Sequence, residues 1–152
     1  IQQLVLTDAS ESALDLCRQN CKNNQVTNYV EIEALCWGDN SNVKFASSFD
    51  TVLATDVLYD IGAWEPLLKT TNTVLRDHGR LILSHVPRAA LLDGDESSSL
   101  EDYLIEKAKP YNLHLVSILR PKDLSSEESF EGREEMEQAG AAILLFQKKG
   151  SL

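Results

Sequence analysis

Three polar side chains crowd into the segment Asp56–Asp60, which directly follows the strand-like run Phe49–Thr55. Two are the carboxylates Asp56 and Asp60, and the third is the phenol of Tyr59. Such groups are costly to place at the end of a buried strand unless they bind something. A phenol can also donate or accept a hydrogen bond and offer its ring face to a cation. This segment is therefore the most informative part of the chain for function.

Two further strand ends carry residues suited to a nucleotide. Asp8 follows the run Gln3–Thr7, where a carboxylate can accept both hydroxyl protons of a ribose, or can serve as a helix cap. Trp37 and Asp39 offer a face for stacking on adenine and an acceptor for its amine, or else a core tryptophan before a Gly-Asp turn. His85 is a candidate proton acceptor at another strand end, although a histidine there is more often an ordinary hydrogen-bonded residue.

The periodicity of apolar residues predicts the elements that position these groups. Strand-like runs occupy 3–7, 29–35, 49–55, 80–85, 113–119 and 141–147. Three helical patterns lie between them. The first is capped by Ser10 and has Ala13, Leu16, Cys17 and Cys21 on one face. The second has Pro66 in its first turn and a stop at His78-Gly79, and the third ends at Pro110. This alternation predicts a single α/β domain over 1–152, with a mostly parallel sheet and an antiparallel pair formed by the last two strands. Ligands bind such sheets beyond the carboxyl ends of the strands, where the polar residues above lie.

Composition excludes several other classes of function. The 152 residues carry 14 Lys+Arg against 24 Asp+Glu, a formal net charge of −10, so we expect no binding to nucleic acid through its phosphates. We expect no association with a membrane, because no apolar run reaches the ~20 residues of a span. Three cysteines make neither a disulfide framework nor, with the histidines distant, a four-ligand zinc site. We therefore expect no metal and a reducing compartment, the cytoplasm, with the nucleus as a second location.

The negative charge is concentrated in one Ser- and Glu-rich stretch. Between Lys122 and Glu137 there are seven acids and two bases, a net of −5. A solvated segment is the ordinary interpretation of such a run. The alternative is a rim that attracts a basic protein substrate.

Four strings resemble consecutive motifs of the S-adenosylmethionine-dependent class I methyltransferases, which have a seven-stranded, Rossmann-like sheet: VLTDAS, EALCWGDN, FDTVLATDVLYD and VLRDHGRLIL. Trp-Gly-Asp after one strand, combined with Asp-x-x-Tyr after the next, is similar to the non-histone protein-lysine methyltransferases grouped as methyltransferase family 16. The resemblance implies S-adenosylmethionine as cofactor and a protein with an exposed lysine as substrate. It leaves the oligomeric state open.

The resemblance also implies roles for individual residues. Asp56 and Tyr59 match the Asp-x-x-Tyr motif and would orient the lysine nitrogen as the catalytic pair. The cofactor contacts would be Asp8 at the ribose, Trp37 and Asp39 at the adenine, and Thr55 beside the methionine portion. Lysine must be neutral to attack, and a nearby carboxylate favours its charged form, so Asp56 is interpreted as an orienting group or a cofactor contact.

One part of the family pattern has no counterpart in the sequence. The family begins with a strand, a glycine-rich loop and a helix, and none of them precedes Ile1. In the family strand order, 3-2-1-4-5-7-6, that first strand is central, so we expect two partial sheets. We also expect the 152 residues alone to be unstable and to bind S-adenosylmethionine weakly, which could leave this chain inactive.

Three other functions stay open from the residues. The chain could be a non-catalytic, methyltransferase-like fragment or isoform that acts by binding a partner. Asp8 would serve the ribose of a nicotinamide cofactor equally well, although Trp-Gly-Asp and Asp-x-x-Tyr count against a dehydrogenase. A methyltransferase with a small-molecule acceptor is the third.

Overall fold

A computed structural model describes residues 4–39, 44–87, 100–123 and 132–150. The chain divides into two compact units, residues 1–39 and 40–152. Each unit has a sheet of its own among the described residues, one of two strands and one of four. The expectation of two partial sheets is therefore confirmed.

The first unit is a β-α-β motif. Strand β1 (Leu4–Asp8) and strand β2 (Val30–Ala34) are parallel and are joined by helix α1 (Glu11–Asn23). Leu14 and Cys21 lie two turns apart on the buried face of α1, whereas Leu16, predicted to be on that face, is 60% exposed. The prediction for Leu16 is wrong because the stripe of α1 that packs against the strands runs through positions 14, 17 and 21.

The second unit contains the other described strands and helices. In chain order these are β3 (Phe49–Thr55), α2 (Trp64–Val74), β4 (Leu75–His85), α3 (Leu100–Ala108), β5 (Leu113–Leu119), α4 (Arg133–Gln138) and β6 (Ala142–Lys148). The strand order is β3-β4-β6-β5. β3 and β4 are parallel, and β6 is antiparallel to both β4 and β5, which confirms the predicted antiparallel pair. The fold is thus the predicted α/β, Rossmann-like one, with the six-residue α4 inside the acidic stretch.

One face of the four-stranded sheet forms the core of the second unit. Fully buried residues on that face include Leu81, Leu83, Leu144 and Phe146, and the helices contribute Leu68 and Leu104. These side chains alternate along β4 and β6, as expected when one face of a strand packs against helices. The packing holds the carboxyl ends of β3, β4 and β5 at the same edge of the sheet.

Strand β4 begins five residues earlier than the sequence predicts. The expected helix stop was His78-Gly79, but α2 ends at Val74 and Leu75 already has extended backbone. Leu75 is fully buried, and the ammonium of Lys148 donates to the carbonyls of Asn72 and Leu75, at 2.8 Å each. Because a cation from β6 satisfies these carbonyls, α2 ends without the glycine that the sequence suggested.

Two kinds of feature are absent from the described residues. No helix there combines the length and hydrophobicity that a bilayer span requires. No group of histidine, cysteine and carboxylate side chains there is arranged to hold a metal ion.

Candidate functional site

In the first unit, Asp8 lies at the carboxyl end of β1 and is exposed. Its Oδ1 accepts the Ser10 backbone N–H at 2.8 Å, while the Ser10 hydroxyl is 2.8 Å from the hydroxyl of Ser12. Ser10 therefore occupies the N-cap position of α1 without the side-chain cap that was predicted. A carboxylate can accept about four hydrogen bonds, so the contact with Ser10 orients Asp8 and leaves acceptor capacity for a diol.

Trp37 and Asp39 lie at the same edge of this unit. The Leu35 N–H donates to the Asp8 carbonyl at 3.0 Å, which ties the end of β2 to the end of β1. The chain then turns at Cys36–Asp39, with Gly38 at φ +81°, a conformation that glycine adopts without strain. Trp37 is half-buried and Asp39 is exposed, so the tryptophan is not the core residue of the alternative interpretation.

In the second unit, Thr55 and Asp56 lie where β3 ends. Thr55 pairs with Ser84 of β4, and the Asp56 N–H donates to the Ser84 carbonyl at 2.9 Å. Asp56 has φ +49°, a left-handed conformation that Asp tolerates better than most residues. The chain thus turns sharply away from the sheet at Asp56, and both side chains are exposed at its carboxyl edge.

Leu58 and the turn after Tyr59 fix the rest of this segment. Leu58 is 4% exposed and anchors the segment in the core, whereas Tyr59, next to it, is 63% exposed. Asp60 Oδ1 accepts the Gly62 N–H at 2.9 Å and so caps a short 3-10 turn that leads into α2. The backbone between Asp56 and Gly62 is therefore held at both ends and in the middle, while Asp56 and Tyr59 face solvent.

These residues fit the groups that a cofactor such as S-adenosylmethionine carries. The first unit offers an exposed carboxylate for a ribose and an aromatic ring with a neighbouring acceptor for an adenine. The second unit offers a hydroxyl, a carboxylate and a phenol at one sheet edge. The bound cofactor would supply an activated methyl group, and the residues of the chain would bind it, orient the acceptor and exclude water.

A family model of lysine methyltransferases matches residues 2–100, well over half of the chain. The chain belongs to this family. The resemblance to methyltransferase family 16 is confirmed, and with it S-adenosylmethionine-dependent methyl transfer and its cofactor. All six residues predicted for the site lie within the matched range. No curated protein sequence matches the chain significantly.

Solved structures agree with the fold of this family member. A protein assigned as an S-adenosylmethionine-dependent methyltransferase from Listeria monocytogenes is 14% identical, with a TM-score of 0.64 over 97% of this chain and 80% of its own. The geranyl diphosphate C-methyltransferase from Streptomyces coelicolor, solved with S-adenosyl-L-homocysteine, is 11% identical, with a TM-score of 0.65 over 97% of this chain and 63% of its own. The cyclase SpnF is 13% identical, with a TM-score of 0.67 over 98% of this chain and 68% of its own.

The structural likeness does not identify the acceptor. The chain spans between 63% and 80% of the length of these three structures, and one of them is named as a cyclase. At such low identity the likeness shows the fold alone, and function depends on the residues of the site.

Sequence reasoning missed three residues at the edge where Asp56 lies. Asp60 was noted only as part of a polar segment, although Asp two residues before Gly is a turn-capping pattern. Glu101 and Arg120 were given no role in the site, and no local pattern connects them. For His85, interpreted as an ordinary hydrogen-bonded residue, neither ring nitrogen has a hydrogen-bond partner in the described part of the chain, and Nε2 lies 3.9 Å from Glu101 Oε1.

Proposed function

We propose that the chain transfers a methyl group from S-adenosylmethionine to the side-chain nitrogen of a protein lysine. The observation that carries the proposal is the match to lysine methyltransferases over residues 2–100, which includes Asp56 and Tyr59. Both residues are exposed at the carboxyl edge of the sheet, as contact with a large substrate requires. Tyr59, with 63% of its surface exposed, can hydrogen bond to an amine or bind an ammonium on its ring face.

In this proposal the two exposed side chains have different tasks. The carboxylate of Asp56 orients the incoming nitrogen. It does not assist deprotonation, because a negative neighbour opposes the loss of the lysine proton. Tyr59 supplies an aromatic wall and one hydrogen bond that direct the nitrogen lone pair towards the methyl carbon. Asp8, Trp37, Asp39 and Thr55 are the proposed cofactor contacts.

The proposal can be tested with the full-length protein, S-adenosylmethionine labelled on its methyl group and a cell lysate. We expect a labelled protein band whose acid hydrolysate contains methyl-lysine. The variants Tyr59→Phe and Asp56→Asn should weaken the label, and heat-killed enzyme should give none. Label only in small molecules, or in residues other than lysine, would refute the assignment to protein lysine.

A further inference from the structure

His85 is a buried imidazole at the catalytic edge whose role the site described above does not explain. It is the last residue of β4 and is 4% exposed. Leu81 and Leu83 occupy the same face of β4 and are fully buried. Neither ring nitrogen has a hydrogen-bond partner among the described residues, and a buried polar group left in that state costs about 1–3 kcal/mol. A third leucine would fill this face without that cost, so packing alone does not account for the histidine.

A carboxylate and a guanidinium face the ring from two other segments. Glu101, at the start of α3, has its Oε1 3.9 Å from His85 Nε2 and 3.2 Å from Arg120 Nη2. The side chain of Glu101 is 10% exposed, and Arg120 directly follows β5. One carboxylate oxygen from the first turn of α3 thus lies near both His85, at the end of β4, and Arg120, just after β5. The β6 residue opposite His85 is the uncharged Ala142.

This cluster adjoins the segment that presents Asp56. Ser84, the neighbour of His85 in β4, accepts the Asp56 N–H through its carbonyl at 2.9 Å. A displacement of the end of β4 therefore moves the acceptor that fixes the turn at Asp56. The segment from Asp56 to Tyr59 follows β3, and its position depends on this bond to β4, on buried Leu58 and on the capped turn at Asp60.

The charge of the ring decides which partner Glu101 has. Burial lowers the pKa of His85, the Glu101 carboxylate opposes that effect, and the Arg120 guanidinium adds to it. At neutral pH the ring is uncharged, so among the described residues the cation paired with Glu101 is Arg120. A protonated ring would compete with Arg120 for the same oxygen.

We propose that His85 is a positioning residue for methyl transfer: its buried ring lies against Glu101, which is paired with Arg120, and so locates the end of β4, where the Ser84 carbonyl fixes Asp56. The proposal rests on the proposed function for its effect on rate, but not for the link between His85 and Asp56. Protonation of His85, or loss of its ring, shifts Asp56 relative to the acceptor nitrogen.

The link itself can be measured without a substrate. In the full-length protein, NMR would follow the His85 ring and the Asp56 backbone amide as pH is lowered. We expect both signals to change with the same midpoint, below the usual histidine value, and we expect the Asp56 change to vanish in His85→Gln. An Asp56 amide that is insensitive to the titration of His85 would overturn the proposal, whether or not the protein proves to be a lysine methyltransferase.

The effect on rate is tested with the labelled-lysate assay across pH. We expect the kcat of the wild type to fall as the pH is lowered, and we call this fall the acid limb. His85→Gln should lack the acid limb. Its kcat at neutral pH should be about tenfold lower than that of the wild type, with the KM for S-adenosylmethionine unchanged. In Glu101→Gln the acid limb should move to lower pH, because the carboxylate that raises the pKa of His85 is gone. His78→Asn, an exposed histidine at the other end of β4, is the control and should keep the wild-type profile. An unchanged acid limb in His85→Gln would contradict the proposal.

Discussion

Replacement of Asp60 by alanine tests how the segment that carries Tyr59 is held. In the structure, Asp60 Oδ1 accepts the Gly62 N–H at 2.9 Å, and the two residues are exposed. Loss of a side-chain cap costs about 1 kcal/mol. If the turn must form for Tyr59 to meet the acceptor, that free energy corresponds to about a fivefold lower kcat/KM.

The matched variant Asp60→Asn separates the cap from the charge. Asparagine keeps an oxygen acceptor in the same place and caps as well as aspartate. We therefore expect Asp60→Asn to retain most of the wild-type kcat/KM while Asp60→Ala loses about fivefold. The assay is the initial rate of methyl transfer to lysate protein, at equal concentrations of folded enzyme measured by circular dichroism. Equal losses in both variants would show that Asp60 acts through its charge, and would refute the capping argument.

Three further predictions concern stability. Leu14→Ala should lower the free energy of unfolding by about 3 kcal/mol, because Leu14 is fully buried. Leu16→Ala should change it by less than about 0.5 kcal/mol, because Leu16 is 60% exposed on the same helix. Urea denaturation measures both variants, and similar losses would contradict the assigned face of α1. Burial lowers the pKa of His85 in the folded state, so the unfolded chain binds the proton more readily. The contribution of His85 to stability should therefore be constant above about pH 6.5 and fall below it until the folded ring also titrates, with a slope of at most about 1.4 kcal/mol per pH unit. Denaturation of His85→Gln over the same pH range should lack that component, and an identical pH dependence would count against a buried neutral ring. The exposed pair Glu65–Lys107, at 2.6 Å, should contribute under about 1 kcal/mol in a double-mutant cycle, and a larger coupling energy would mean that the α2–α3 contact depends on it.

Local patterns were sufficient for much of the fold. The run Phe49–Thr55 has the same bounds in the sequence prediction and in β3, and Leu113–Leu119 has those of β5. Both runs are rich in apolar residues and are bounded by turn residues or charges, so the local pattern indicates both the strand and its length. The placement of polar groups after strands also led to Asp8 and Asp56, because parallel strands bring their carboxyl ends to one edge.

Other features depend on contacts that are distant in sequence. Leu14 and Leu16 have the same hydrophobicity, and only the packing of α1 on its strands decides which is buried. The early end of α2 depends on Lys148, which lies more than 70 residues further along the chain. The cluster of His85, Glu101 and Arg120 joins three segments, and no local pattern predicts that they meet.

The position of β6 has a consequence for the order in which the second unit assembles during synthesis. β6 follows every other described strand in the chain, yet it lies inside the sheet, between β4 and β5. Until the ribosome has released residues 142–148, β5 has no partner in its sheet and β4 has an open edge on that side. Leu144 and Phe146, both fully buried in the finished sheet, then complete the core in one late step. A nascent chain arrested before β6 would therefore present apolar strand edges to chaperones, and the four-stranded sheet would be complete only after β6 has been released.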